Sequence, residues 1–315
     1  MKTQQGPILL ATDGSAGADT AAKAASQLAR ALHTGVHVVH CWMPVINAYG
    51  PAGYIPMGAA EAFEAPAAMV LQAEVAALKR LKAAPDGSHL FEGRAAEVVP
   101  DLALELGARL IVIGSRGLGA IKRLVLGSVS EGIVHTSHTP VLVVRGARRP
   151  WPPSDIIVGD DGSAESRLAA SSAASIAQAT GAQLRIVHVI AAAWHDAASP
   201  GQSRAIAAAS AAADATINRI ADEVQHAYGF RHTTSVLIGD PAATLVAEAR
   251  KSALPAMLAV GSRGRGAVRR LAMGSVSTNV LRAAPGSILV YPHPRHDVAA
   301  LLGVATAAHL AQLAS

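Results

Sequence analysis

Two stretches of the chain combine glycine and serine at a spacing that suits phosphate binding. Residues 114–130 read GSRGLGAIKRLVLGSVS and residues 261–277 read GSRGRGAVRRLAMGSVS, with 12 of 17 positions identical. In each copy a glycine is followed after two residues by a second glycine, and after nine more by Gly-Ser. Glycine allows a ligand to approach the backbone closely, and a helix beginning at the Gly-Ser pair would present unpaired amide groups to an anion. The two stretches therefore predict two phosphate-binding loops.

Neither copy is a Walker loop or a dinucleotide fingerprint. The sequence GxxxxGK[ST] is absent from both, and GSRGLG spaces its glycines as GxxGxG after the fourth predicted strand instead of the first. A purely structural interpretation stays open, in which Gly114 and Gly117 make a tight turn and Gly127 lets a helix pack closely. Turn formation alone does not require Ser128 and Ser130.

Each glycine stretch has a counterpart earlier in the chain. ILLATDGS at residues 8–15 and IIVGDDGS at residues 156–163 are apolar runs that end in Asp-Gly-Ser, and Asp13 and Asp161 are 148 positions apart. The glycine stretches are 147 positions apart. This common spacing indicates that the whole chain is a duplication.

The elements that must position these residues alternate between strand and helix. In the first repeat we predict strands at about residues 7–12, 36–42, 88–93, 109–114 and 140–145, and helices at about 16–33, 66–84, 95–107 and 128–137, with a Pro/Gly-rich loop through Glu64. The second repeat follows the same order, with a longer second helix at 203–228 and a shorter loop before it. We expect domains at residues 1–147 and 148–292, followed by a helical tail at 293–315. The alternation predicts a parallel sheet, and the reversal of strand order would bring Asp13 and the Gly114 loop to one crevice.

Composition favours an α/β protein and excludes several classes. Hydrophobic residues make up 51% of the chain and aromatic residues only 3%, so the cores must consist of aliphatic residues, as in buried parallel strands covered by helices. The net charge is +5, but the basic residues cluster in the glycine stretches, and we do not expect nucleic acid as a partner. With one cysteine, no secretory signal and no apolar run of roughly 20 residues, we expect a cytoplasmic protein without a membrane span.

Both repeats resemble the universal stress protein family, in its tandem-domain, ATP-binding form, over residues 5–292. The resemblance rests on the Gly-x2-Gly-x9-Gly-Ser pattern together with the aspartate near each repeat's start. It implies an α/β fold of two tandem five-stranded parallel sheets, each in the order 3-2-1-4-5 (adenine nucleotide alpha hydrolase-like). It also implies that the fifth strands, PVLVVR and SILVYP, pair with each other.

The resemblance further implies which residues hold a nucleotide. Asp13 and Asp161 would accept hydrogen bonds from ribose hydroxyls, and the backbone of Cys41 and of Val189 would contact adenine. The phosphates would lie against Gly114, Gly117, Gly127, Ser128 and Ser130 in the first repeat, and against Gly261, Gly264, Gly274, Ser275 and Ser277 in the second. The implied cofactors are ATP and Mg²⁺, the ion bridging phosphate oxygens.

The expected function is nucleotide-dependent regulation in the stress response. GxSxG, HExxH and paired CxxC motifs are absent, and no general base for attack on the γ-phosphate is recognisable. We therefore expect at most slow ATP hydrolysis. The resemblance further implies a homodimer, and we expect a regulatory protein partner. The alternatives are a nucleotide-free scaffold for protein interaction and a true nucleotide hydrolase or nucleotidyltransferase of the same wider fold.

Four side chains near the expected site have simpler interpretations. Ser128-Val-Ser-Glu131 has the spacing of a capping box, although Glu131 could instead repel phosphate. Cys41 is expected to pack at the end of a buried strand. His40 and His188 recur at equivalent positions, for which we expect a structural role in the sheet.

Overall fold

The computed structural model describes residues 6–43, 59–115, 127–145, 151–191, 200–229, 232–252, 254, 256–264 and 273–293. The predictions for Gly117 and for the tail beyond His293 lie outside these residues. Within these ranges, none of the helices has the length and apolar character needed to cross a membrane.

The first repeat folds as five strands and four helices in the predicted alternation. In chain order they are β1 (Ile8–Thr12), α1 (Ala16–Ala31), β2 (Val36–Trp42), α2 (Ala59–Arg80), β3 (Gly87–Glu92), α3 (Ala95–Glu105), β4 (Leu110–Gly114), α4 (Ser128–Thr136) and β5 (Val141–Val144). β1, β2, β4 and β5 carry apolar runs of the sequence, whereas β3, GSHLFE, is mixed in polarity.

The second repeat follows the same order. Its elements are β6 (Asp155–Asp160), α5 (Ala164–Thr180), β7 (Gln183–Ala191), α6 (Pro200–Tyr228), β8 (His232–Gly239), α7 (Pro241–Lys251), β9 (Met257–Gly261), α8 (Ser275–Ala283) and β10 (Ile288–Tyr291). The expectation of a longer second helix is confirmed, since α6 has 29 residues and α2 has 22.

The predicted start of α2 was wrong. The helix begins at Ala59 instead of about residue 66, so the loop does not extend through Glu64, and Pro66 lies inside the helix. A proline removes one backbone hydrogen bond and usually ends a helix. The residues before it, AAEAFEA, are mostly strong helix formers, and the helix continues through the proline.

The ten strands form one sheet in the order β3-β2-β1-β4-β5-β10-β9-β6-β7-β8. All neighbouring strands are parallel except β5 and β10, which are antiparallel and place Leu142 opposite Leu289. Each half therefore has the expected order 3-2-1-4-5, and the pairing of the two fifth strands is confirmed. Because β5 and β10 run in opposite directions, the carboxyl ends of the other strands point to opposite ends of the molecule in the two halves.

Two apolar layers cover the sheet, one on each face. Alternate residues of β1 enter different layers: Ile8 and Leu10 pack with α1, α2, α5 and α6, whereas Leu9 packs with α3, α4, α7 and α8. Both layers continue across the junction, since Leu142 and Leu289 share one of them and Val143 and Ile288 the other. The strand ends, where loops follow, are the places left for polar groups.

Candidate functional site

An Asp-Gly-Ser turn follows the first strand of each half. In the first, the backbone N–H of Ser15 donates to Oδ1 of Asp13 at 3.1 Å, and in the second the N–H of Ser163 donates to Oδ1 of Asp161 at 3.0 Å. These bonds fix each carboxylate at the carboxyl end of its strand. Asp13 and Asp161 thus accept the same turn hydrogen bond in the two repeats.

The other two residues of the turn explain its sequence. Gly14 and Gly162 have φ angles of 73° and 75°, a left-handed conformation that favours glycine. Ser15 and Ser163 are the N-caps of α1 and α5, each accepting a backbone N–H three residues on, at 3.3 and 3.1 Å. The turn therefore starts a helix as well as presenting a carboxylate.

The first residues of the glycine stretches lie beside these turns, as predicted. β4 pairs with β1, and β9 pairs with β6, so their carboxyl ends are neighbours. In the second half, a side-chain carbon placed on Gly264 would collide with Oδ2 of Asp161. Asp161 and the second glycine of the stretch therefore face the same crevice.

Gly114 and Gly261 have a packing role that the sequence prediction did not include. A Cβ on Gly114 would lie 2.7 Å from the carbonyl carbon of Gly17 in α1, and one on Gly261 would lie 2.7 Å from Cβ of Glu165 in α5. Real Cβ atoms do not approach this closely, so the last residue of β4 and of β9 must be glycine for the helix to pack. This requirement holds with or without a ligand.

Ser130 and Ser277 also make internal contacts. The Oγ of Ser130 donates to the carbonyl of Gly114 at 2.8 Å, and that of Ser277 donates to the carbonyl of Gly261 at 2.7 Å. Both side chains are buried. A hydroxyl has one proton, so either serine would have to break this bond to donate to a phosphate. The structure gives both the role of fastening a helix to a strand end, and their phosphate contact stays a prediction.

The helices α4 and α8 begin at the predicted Gly-Ser pairs. Gly127 and Gly274 are the N-caps, and Ser128 and Ser275 are the first helical residues and are exposed. Each cap is held to the start of its stretch, the N–H of Gly274 donating to the carbonyl of Ser262 at 2.7 Å. The first-turn N–H groups have no partner within the helix and favour an anion.

The capping-box prediction for Glu131 was wrong. The helix starts at Ser128, one residue earlier than a box on Ser128 and Glu131 requires, so Gly127 is the N-cap and no described side chain caps α4. Oε1 of Glu131 instead accepts from Nε and Nη2 of Arg282 in α8, at 3.0 and 2.6 Å, and lies 3.8 Å from His135. The carboxylate therefore joins the two halves of the molecule.

Within the part of the chain that the structure describes, two donors in the second glycine stretch have no hydrogen-bond partner. These are the hydroxyl of Ser262 and Nε of Arg263, both removed from solvent. Ser262 was not among the predicted site residues. The sequence did contain a signal, because Ser-Arg follows the first glycine in both copies of the stretch.

A buried carboxyl group lies beneath the Asp13 turn. Oε2 of Glu74 accepts from the Thr12 hydroxyl at 2.6 Å, and the same hydroxyl accepts from the N–H of Gly14 at 3.2 Å. Nδ1 of His40 donates to the carbonyl of Thr12 at 2.8 Å, a structural role as expected. Burial raises the pKa of Glu74 above its usual value, and the negative charges of Asp19 and Asp13 raise it further against the lowering effect of the Thr12 bond.

In the second half, Asp160 holds the place of Thr12. Its carboxylate accepts from the Gly162 N–H at 2.8 Å, the Ser166 hydroxyl at 2.7 Å and Nδ1 of His188 at 3.3 Å. Burial acts to raise the pKa of Asp160, but the bonds from His188, Gly162 and Ser166 outweigh it and the pKa is lowered. His188 is thus a structural partner, as expected. The buried carboxylate is fully paired here.

Cys41 and Val189 occupy the positions expected for adenine contacts. Each is half-buried near the end of its strand, β2 or β7, and packs against the core layer of α3 and α7. Burial raises the pKa of the Cys41 thiol to about 11, which keeps it protonated and agrees with the packing role. The adenine contact itself stays a prediction.

The two crevices differ at the start of the first helix. Glu165 in α5 is buried and pairs with Nδ1 of His293, which follows β10. The equivalent position in α1 is Gly17. The second crevice therefore contains an acid–imidazole pair at a place where the first has no side chain.

Comparison with known proteins agrees with this architecture. The model of the universal stress protein family matches residues 6–145 and again residues 154–292. A universal stress protein of Mycobacterium tuberculosis is 30% identical over 315 residues, covering 91% of this chain and 95% of the relative, and one of Mycolicibacterium smegmatis is 27% identical over 296 residues, covering 90% and 96%. The crystal structure of a universal stress protein from Archaeoglobus fulgidus shares the fold, with a TM-score of 0.65 and 21% identity over 92% of this chain and 98% of that one. The chain belongs to the universal stress protein family and contains the family's domain twice.

Proposed function

We propose that the chain binds an adenine nucleotide, ATP with Mg²⁺, in the crevice of each half and acts as a nucleotide-dependent regulator in the stress response. The observation that carries this proposal is the pair of unpartnered donors at Ser262 and Arg263. Buried polar groups without partners are rare in native proteins, because each one loses its bonds to water. A phosphate in the crevice supplies the missing acceptor.

The start of α8 provides the second part of the phosphate site. Gly274 is bonded to Ser262, so the unpaired N–H groups of the first helical turn and the two donors belong to one closed loop. Backbone amides and the helix dipole favour negative charge. Ser275, which is exposed at this helix start, is placed to donate its hydroxyl proton.

The aspartates of the two turns suit the ribose. An ionised carboxylate only accepts hydrogen bonds, and ribose hydroxyls donate them. Asp161 lies against Gly264, so a sugar bound there would sit beside the phosphate loop. Asp13 would act in the same way in the first half, where the turn has the same geometry.

The proposed Mg²⁺ takes its ligands mainly from the nucleotide. Among the described residues, no three His, Cys, Asp or Glu side chains lie together as a metal site. Magnesium commonly keeps several waters and binds to substrate phosphates through few protein ligands. The ion would neutralise phosphate charge and would help position the phosphate chain.

We propose that any ATP hydrolysis is slow. The carboxylate beside the start of α4, Glu131, is paired with Arg282, and Glu165 beside Gly261 is paired with His293. A general base must be within hydrogen-bond reach of the attacking water, and a paired carboxylate is a poor candidate. Binding, and not turnover, is the activity that the crevices support.

A nucleotide-free scaffold is the second candidate, and one set of contacts favours it. Gly114 and Gly261 are required for helix packing, and Ser130 and Ser277 bond to strand ends. Retention of these residues in both repeats is therefore explained by folding alone. Only the residues without an internal role, such as Ser262 and Ser275, discriminate between the two functions.

Analysis of what the purified protein carries separates these candidates. Denaturing the protein and identifying the released small molecules by mass spectrometry should recover an adenine nucleotide, and Mg-ATP should raise the melting temperature of the stripped protein. Arg263→Gln should reduce that shift, whereas Arg250→Gln, at an exposed position of α7, should leave it unchanged. Recovery of no nucleotide together with no thermal shift would establish the scaffold instead.

We further propose that chains associate as homodimers and engage a regulatory protein. β5 and β10 already pair inside one chain, so association of two chains requires a surface other than these strand edges. Sedimentation of the nucleotide-loaded and stripped protein should show a dimer in the loaded form. A monomer under both conditions would contradict the dimer.

A further inference from the structure

Glu74 has an oxygen atom that no group among the described residues satisfies. The residue is 4% exposed, its Oε2 accepts from Thr12, and its Oε1 is buried and has no hydrogen-bond partner in the described ranges. A buried ionised carboxylate with one oxygen unpaired is costly. The protein retains this group directly beneath the turn that holds Asp13.

The second half shows that the fold does not need a carboxyl group on this helix. Buried positions of α2 at residues 67, 71, 74 and 78 recur in α6 at 213, 217, 220 and 224, with the same spacing. Ile220 therefore stands where the first half has Glu74. The second half has its buried acid at Asp160 on β6, where it is fully paired.

The helix that carries Glu74 contacts the binding turn in two places. The Thr12 hydroxyl lies between the carboxyl group and the N–H of Gly14, so one hydrogen-bond chain runs from α2 to the turn. One helical turn before Glu74, Val70 packs on Gly14, and a Cβ on that glycine would lie 3.0 Å from the valine. A change at Glu74 is therefore transmitted directly to the residue that follows Asp13.

The charges around Glu74 oppose its ionisation. Asp19 on α1 and Asp13 after β1 both act on it as negative charges, and His40 on β2 bonds to the carbonyl of Thr12. The described residues contain no ion pair to Glu74 among their salt bridges. A nucleotide polyanion entering this crevice adds further negative charge.

We propose that Glu74 is a positioning residue that links nucleotide binding in the first crevice to the uptake of a proton, and that the second crevice lacks this linkage. The inference rests on the proposed nucleotide binding and assigns a regulation to one of its two sites. With Glu74 protonated, the group beneath the turn is neutral when the anion arrives. With Glu74 ionised, binding must either take up a proton or place like charges together.

The sign of the effect follows from linkage. A bound anion favours the protonated form, so the bound state holds more protons than the free state. Affinity in the first crevice then rises as pH falls and decreases as pH rises, by at most about tenfold per pH unit for one proton. The second crevice should follow only the titration of the nucleotide's own phosphates.

Calorimetric titration with Mg-ATP tests this linkage. The first crevice is measured in Asp161→Ala and the second in Asp13→Ala, each between about pH 5 and about pH 8 and in two buffers of different ionisation enthalpy. The first crevice should take up a fraction of a proton beyond that taken up by the second. Adding Glu74→Gln, which retains the shape and an acceptor for Thr12, should remove this excess, as should Glu74→Ile, the residue of the second half.

The possible results separate the two proposals. Absence of Mg-ATP binding in the parent protein would overturn nucleotide binding and the linkage with it. Binding with equal proton uptake in both crevices, or excess uptake that survives Glu74→Gln, would overturn the linkage alone. Circular dichroism of each variant confirms that a lost signal does not reflect unfolding.

Discussion

At the scale of single residues, the structure confirms where the polar residues lie, and the ligand chemistry assigned to them stays a prediction. Asp13 and Asp161 lie at strand ends beside the glycine stretches, as their type and spacing predicted. The hydroxyls of Ser130 and Ser277 bond instead to carbonyls 16 residues earlier. A spacing pattern predicts that a polar residue lies near a loop. Whether its hydroxyl can reach a strand-end carbonyl depends on how the helix packs on the strand, which the pattern does not show.

Two serines of one loop should respond differently to truncation. Ser277→Ala removes a buried hydrogen bond and should lower the free energy of unfolding by about 1 kcal/mol. Ser275→Ala, at the exposed first position of α8, should leave stability unchanged and weaken nucleotide binding. Chemical denaturation and calorimetry measure the two effects. Equal loss of stability in both variants would contradict the assigned roles.

The two buried acids should give stability opposite dependences on pH. The raised pKa of Glu74 means that its stabilising protonated form is complete below its ordinary pKa and is lost as pH rises through the folded-state value. The free energy of unfolding of the parent should therefore decline as pH rises above the ordinary pKa of a glutamate. Glu74→Gln should make this decline smaller. Denaturation midpoints measured across this range check the prediction.

Asp160 provides the matched control of opposite sign. Its pKa is lowered, so its contribution is present above the unfolded-state value and is lost as pH falls through the folded-state value. Asp160→Asn should cost about 1–3 kcal/mol at neutral pH, because a charged acceptor of three hydrogen bonds is removed, and the cost should shrink in acid. A pH-independent loss would show that ionisation of Asp160 does not contribute.

At the scale of elements, the alternation of strands and helices was predictable from apolar periodicity, while some helix ends were not. Pro66 indicated a start of α2 near residue 66, but the preceding alanines and glutamates extend the helix to Ala59. The start of α4 at Ser128 was predicted, yet its first turn is uncapped by any side chain. Helix propensity decided the start of α2, and tertiary contacts decided the cap of α4. A short sequence motif shows neither effect.

Substitutions of two glycines in the second stretch should affect different properties of the protein, because the two glycines contact different groups. Gly261→Ala places a Cβ against the backbone of α5 and should destabilise the protein by about 1–3 kcal/mol. Gly264→Val presses on the carboxylate of Asp161 and should weaken nucleotide binding at the second site by tenfold or more while the fold is retained. Thermal unfolding and titration with Mg-ATP distinguish the two. Unchanged affinity in Gly264→Val would place the cradle elsewhere.

At the scale of the whole molecule, the duplication was evident from sequence and the continuous sheet was implied by the family resemblance. The contact between Glu131 and Arg282 across the junction was not, because it depends on where the junction places α4 relative to α8. The two core layers cross the same junction. The halves therefore share their hydrophobic cores while carrying separate crevices.

A shared core should make unfolding cooperative across the halves. Leu142→Ala removes a side chain that is 0% exposed at the β5–β10 junction and should cost about 2–5 kcal/mol. Amide exchange should then accelerate in β1 and in β6 alike. Arg282→Ala, at a largely exposed end of the junction ion pair, should cost no more than about 1 kcal/mol. Faster exchange confined to the first half would contradict a shared core.

The most direct measurement of nucleotide binding is the stoichiometry of Mg-ATP binding to ligand-stripped protein. We expect saturable binding at two sites per chain, with one site lost in Asp13→Ala, the other in Asp161→Ala, and both in the double variant, while folding is retained. The absence of binding in the parent, or its persistence in the double variant, would contradict the crevices as nucleotide sites.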